Sequence, residues 1–197
     1  MRYLGTTIII FLSLFVKGQN SKTLSTVSYN DTIKLEQAII YGNFIQRLGF
    51  SSGGFPQDIR IINLDSKEIF TFRVKPTLKS AKENKFIFFI APGNYVILNY
   101  WWTESKWYGG KIFTEPIYKG IDATADLEGK IKLGQISKNE LVQFKFSINE
   151  KSLNYLGTWH FDEAIVSFTD EKIQLDKSLM IRFKKLDFAS AKTVLPN

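Results

Sequence analysis

Lys85-Phe86-Ile87-Phe88-Phe89-Ile90, then Ala91-Pro92-Gly93-Asn94, then Tyr95-Val96-Ile97-Leu98-Asn99-Tyr100-Trp101-Trp102: two runs of β-branched and aromatic residues enclose a four-residue corner. Such side chains suit a pleated, half-buried strand. Proline presets φ in the corner and the glycine after it accepts φ > 0, which fits a type II turn. The stretch predicts a β-hairpin. Upstream, residues 58–64 and 68–74 alternate polar and apolar around Asp65-Ser66-Lys67 and predict a second hairpin. Residues 38–45 read as a strand with Gly42 inside it, and 48–56, rich in glycine and serine, as a loop. Downstream, one or two short strands are expected around 111–113, then strands at 142–148 and 154–161 and a short one at 164–168.

Only the last element changes period. From Ile173 onward, apolar residues fall at Leu175, Leu179, Phe183 and Leu186, which is one face of a helix over about 170–186. Thr169 or Asp170 is placed to cap it, with Glu171 at its start and Lys184 and Lys185 at its end. Seventeen Phe, eight Tyr and four Trp favour strands over helices in the remainder. The expected fold is all-β: an antiparallel β-sandwich of the Ig/transthyretin-like kind, with seven to nine strands and a C-terminal α-helix covering an open sheet edge or end. A small barrel is the alternative.

Arg2, an apolar run from Leu4 to Val16, and the small residue Gly18 give the order of a secretory signal peptide over 1–18. That run is shorter than the roughly 20 residues that span a bilayer. An uncleaved anchor or a buried N-terminal strand is the competing reading, and Lys17 beside the cut, a mild irregularity for a leader, keeps the anchor in play. Residues 19–35, polar and rich in Ser, Thr, Asn and Lys, are expected as a flexible lead-in, and 36–197 as one domain. The formal charge of +7 falls to +5 when Arg2 and Lys17 leave with the leader. That is compatible with an anionic partner, but the lysines are scattered and no basic stripe points to nucleic acid. The absence of cysteine excludes a disulfide framework, a thiol nucleophile, cysteine-held metal and a lipobox.

The segment Phe88 to Ile97, with Pro92-Gly93-Asn94-Tyr95 at its centre, resembles the PGxY hairpin of transthyretin-like and carboxypeptidase-regulatory-like sandwiches. Asn154-Tyr155-Leu156-Gly157-Thr158 is similar to the xYxG strand of small bacterial envelope proteins of that kind, with Tyr41-Gly42 as a weaker third match. The resemblance implies a sandwich in an envelope setting and carries over no catalytic residue.

Chemistry has few candidates. His160, the single histidine, shares a strand face with Asp162, which is short of the three protein ligands a catalytic zinc takes. Asp122, Asp126 and Glu128 match no calcium-loop spacing. No catalytic residue, metal or cofactor is therefore assigned. The aromatic cluster is the expected ligand site: Trp101 and Trp102, then Glu104 and Lys106, then Trp107 and Tyr108. Consecutive strand residues face opposite ways, so Trp101 and Trp102 do not share one core. Exposed rings beside polar groups hold sugars and protein partners. The competing reading has Trp102 and Trp107 plugging the end of the sandwich, with Trp159 beneath. The sequence thus predicts a non-enzymatic, secreted or periplasmic binding or structural module for an envelope glycan, lipid headgroup or envelope protein. Membrane contact is expected only if the leader stays uncleaved. The alternatives are a hydrolase acting on an envelope polymer and a membrane-tethered subunit of an envelope assembly.

Overall fold

The computed structural model describes residues 21–46, 55–76, 81–106, 109–124 and 126–197, with Glu104 to Lys106 by backbone alone. The expected leader lies outside them, as does most of the 48–56 loop. In chain order the strands are β1 (Lys22–Thr23), β2 (Ala38–Ile45), β3 (Gln57–Asn63), β4 (Ile69–Lys75), β5 (Glu83–Ile90), β6 (Gly93–Lys106), β7 (Gly109–Pro116), β8 (Lys145–Ile148), β9 (Leu153–His160), β10 (Ser167–Thr169) and β11 (Lys192–Thr193). Two short helices, α1 (Leu127–Lys132) and α2 (Lys172–Met180), complete the set. The fold is all-β, with two sheets and a C-terminal helix. Among the described residues no helix is long and apolar enough to cross a membrane.

The first sheet runs β1-β4-β3-β6, with β7 and β8 end to end along the far edge of β6. The second runs β5-β2-β9, with β10 and β11 end to end along β9. Their inner faces share one core: Phe72 of the first sheet meets Phe86, Phe88 and Trp159 of the second at ring-centroid distances of 5.5, 5.6 and 5.9 Å. The expected hairpin over 85–102 does not form: β5 pairs with β2 in the second sheet and β6 with β3 in the first, so the Pro92-Gly93 corner carries the chain from one sheet to the other. Gly93 has a φ of +146°, and a Cβ there would stand 2.6 Å from Asn63 Nδ2. The ladders are not all antiparallel. β2 and β9 run parallel, which the long intervening chain permits and a tight turn would not.

Within 19–35, expected as a flexible lead-in, residues 22–27 are a correction. From Lys22 the segment is tied down: β1 pairs with β4, the Leu24 amide donates to Thr71 O at 2.9 Å, and Thr26 bridges to Phe88 of β5. Leu24 drops into the shared core and Val27 into a second apolar cluster. The segment thus straps the edge of one sheet to the edge of the other, occupying backbone groups that an open edge would expose. Its polar composition masked these two apolar anchors.

Helix α2 covers the outer face of the second sheet rather than an edge or end. Leu175 and Leu179 pack with Ile39, Tyr41, Leu153 and Tyr155 in that second cluster. The helix stops at Met180, short of the expected 186, yet Phe183 and Leu186 still reach the same cluster. Turns closed by the Phe183 amide on Leu179 O and the Leu186 amide on Phe183 O preserve the apolar spacing. Asp170 accepts from the Lys172 amide at 3.0 Å at the helix start.

Candidate functional site

The two neighbouring tryptophans separate cleanly. Along β6, Tyr95 and Ile97 face the core, and strict alternation would then send Tyr100 and Trp102 outward. The register against β3 shifts between Arg60 and Ile61, where Leu98 and Asn99 share the space of one residue. That bulge resets the phase, so Tyr100 and Trp102 face inward. Trp102 is 7% exposed, stacks on Phe113 with centroids 4.3 Å apart, and donates from Nε1 to Glu115 Oε1 at 3.1 Å. Trp159, expected beneath it, packs instead with Phe72, Phe86 and Phe168. Trp101 stays on the outer face of the first sheet, half-buried. Trp107, Tyr108 and the side chains of Glu104 and Lys106 lie outside the described residues.

What surrounds Trp101 is a small grid of polar side chains. Its rung reads Arg73–Asp58–Trp101 across β4, β3 and β6. Arg73 grips Asp58 with two prongs, Nε to Oδ1 at 3.0 Å and Nη2 to Oδ2 at 3.4 Å. Two residues along, and so on the same face, the next rung reads Thr71–Arg60–Asn99. Thr71 Oγ1, Arg60 Nε and Asn99 Oδ1 are each shielded from solvent with no hydrogen-bond partner. Buried polar atoms are ordinarily paired, so three unpaired ones in one rung set this face apart. Asp58, Thr71 and Arg73 also line a cleft of about 450 Å³ floored by Leu24, Phe86 and Phe88, at the strapped edge of the sheets.

The sequence names Trp101 among its candidates but none of these neighbours, which come from three strands. The available signal was the pair of alternating polar positions, Asp58 with Arg60 and Thr71 with Arg73, on one predicted hairpin.

The remaining candidates are accounted for locally. His160 Nε2 lies 2.8 Å from Thr169 Oγ1, and its Nδ1 lies 3.8 Å from Asp162 Oδ1, beyond hydrogen-bond reach. Burial pushes the Asp162 carboxyl up, but the Lys82 ammonium at 2.9 Å more than reverses this and holds it below the usual range. Asp126 caps α1 by accepting from the Gly129 amide, and Asp122 accepts from Thr124. Among the described residues no three His, Cys, Asp or Glu side chains gather to hold a metal.

Neither a protein-family model nor a curated protein matches this sequence. A leucine-rich repeat protein from Bacteroides thetaiotaomicron VPI-5482, known from a crystal structure, is similar over 78% of this chain at 10% identity and a TM-score of 0.36. This chain spans 17% of that protein's length, and a likeness of that size fixes neither fold nor function.

Proposed function

We propose that the protein is a non-catalytic binding module of the cell envelope that holds a glycan on the outer face of its first sheet. The observation that carries this reading is the rung of three unpartnered polar atoms on Thr71, Arg60 and Asn99 beside the outward ring of Trp101. A sugar presents an apolar face for stacking and a rim of hydroxyls for hydrogen bonds, which is the complement of an indole beside unpaired donors and acceptors. The adjoining cleft gives a chain of sugars a second place to rest. The 1–18 leader supports a secreted or periplasmic setting, and the Pro92-Gly93-Asn94-Tyr95 corner supports kinship with transthyretin-like sandwiches.

Titrating envelope oligosaccharides against intrinsic fluorescence tests this. Trp101→Ala is expected to weaken binding of a responsive glycan tenfold to a hundredfold, about 1.4–3 kcal/mol, with unfolding unchanged. Arg60→Ala is expected to weaken it to a smaller extent. If no glycan responds, or the Trp101→Ala protein binds as the parent does, the reading fails. Release of new reducing ends during incubation would instead point to hydrolysis.

A further inference from the structure

Helix α2 has two apolar sides. Leu175 and Leu179 pack against the second sheet, whereas Ile173, Met180 and Ile181 point away from it and are 70%, 51% and 74% exposed. At 3.6 residues per turn, positions 173 and 180 stand two turns apart on one side, with 177 and 181 beside them. Ile181 keeps helical dihedrals, φ −62° and ψ −36°, so this face continues through it. A single exposed apolar residue is ordinary, but two on one side of a nine-residue helix with a third just past its end form a patch.

Exposed cations crowd the C-terminal end of that patch, whereas the exposed acids Asp170 and Glu171 stand at the opposite end of the helix and Asp187 lies beyond it. Lys177, Arg182, Lys184 and Lys185 are all exposed, and among the described residues none has a carboxylate within ion-pair distance. Each acid of the segment has its own partner, Asp170 accepting from the Lys172 amide at the helix start. Asp176 is buried under Tyr41 and Lys172, Glu171 accepts from Thr158, and Asp187 accepts from the Ala189 and Ser190 amides. Four cations beside three exposed aliphatic side chains match the composition of helices that lie in a membrane interface.

We propose that this face of α2 docks on an anionic lipid bilayer, with Ile173, Met180 and Ile181 at the acyl boundary and the four cations among the headgroups. Charge complementarity selects this occupant, because a neutral apolar partner would leave four ammonium and guanidinium groups at its rim unanswered. Three aliphatic side chains give weak, reversible adsorption, so the cations carry a large share of it and salt weakens it. The patch lies outside the second sheet and Trp101 outside the first. A bilayer on one side therefore leaves the other side open, and neither site depends on the other.

The chain has no cysteine, so Ile181→Cys gives a unique attachment point for a polarity-sensitive fluorophore in the full chain. Leu133→Cys, on an exposed residue at the end of α1, serves as the control for adsorption through any other part of the chain. Phosphatidylcholine vesicles with phosphatidylglycerol are expected to shift the emission of the label at 181 to the blue and leave that at 133 unchanged. High salt reverses the shift, and adding Lys184→Gln with Lys185→Gln raises the lipid needed for half the shift about tenfold or more. Water-like emission at 181 while the protein sediments with the vesicles overturns the proposal, as does an equal shift with phosphatidylcholine alone. A blue shift without lipid that grows with protein concentration assigns the face to a second copy of the chain and also overturns it.

Discussion

Lys75 is fully buried, a position lysine almost never takes without a partner. Phe72 and Val74 of β4 enter the core, so alternation would send Lys75 out. One extra residue between the Asp58–Arg73 and Gln57–Lys75 pairs turns it inward instead. Its Nζ donates to Phe55 O at 2.7 Å, and beside it Gln57 accepts from the Tyr100 hydroxyl at 2.5 Å and donates to Gln46 at 3.1 Å. Burial lowers the Lys75 pKa below its ordinary 10.5. The folded chain therefore sheds this proton at a lower pH than the unfolded chain does. Stability is expected to rise with pH from the folded pKa up to about 10.5, where the unfolded lysine also becomes neutral. In Lys75→Met that rise disappears, and stability near pH 7 increases by about 1 kcal/mol because a desolvated amine is replaced by an apolar chain of similar length. Denaturant midpoints between pH 7 and 10.5 check both statements. Nothing in the composition of 68–74 announces this residue, since a bulge is a property of two strands and not of one.

At the scale of elements, α2 is held by its apolar side and by one buried polar junction. The Tyr41 hydroxyl of β2 donates to Asp176 Oδ1 at 2.6 Å while Lys172 binds the other oxygen. Burial and the adjoining carboxylate push the Tyr41 hydroxyl well above the usual tyrosine range, so it remains a donor at any ordinary pH. Tyr41→Phe leaves that carboxylate oxygen without its donor and is expected to cost about 1–3 kcal/mol. Amide exchange is expected to quicken first in α2, ahead of β2 and β9, since the sheet ladders are untouched. Next to Tyr41, Gly42 marks a close approach: a Cβ there would stand 2.5 Å from Phe86 Cζ and 2.7 Å from Gly157 O. The helix was legible from its spacing and Gly42 as a break in the strand pattern. That the helix lies on a sheet face, and that Gly42 makes room for β5 and β9, were not, because both depend on what packs opposite.

For the whole molecule, the strap formed by residues 22–27 is the piece on which both sheets depend. Leu24 and Val27 anchor it in different clusters, one between the sheets and one outside the second. Leu24→Asp with Val27→Asp is expected to release it and to cost several kcal/mol, of the order of two lost core side chains. Freed edges on β4 and β5 then pair between molecules, so light scattering should show concentration-dependent association before the core unfolds. If the double variant stays monomeric with an unchanged melting temperature, the strap is not structural. The sequence by itself determined the strands, the hairpin of β3 with β4, a corner at Pro92-Gly93, the C-terminal helix and the outward placement of one tryptophan, since alternation, turn chemistry and helical period are local properties of the chain. That the corner joins two sheets and not two paired strands is a matter of pairing, which it did not show. Tertiary structure alone decided which tryptophan faces out, which polar residues of β3 and β4 stand beside it, where the N-terminal segment runs and which side of α2 is left bare. Each of these follows from register and packing between segments far apart in sequence, which no local pattern encodes.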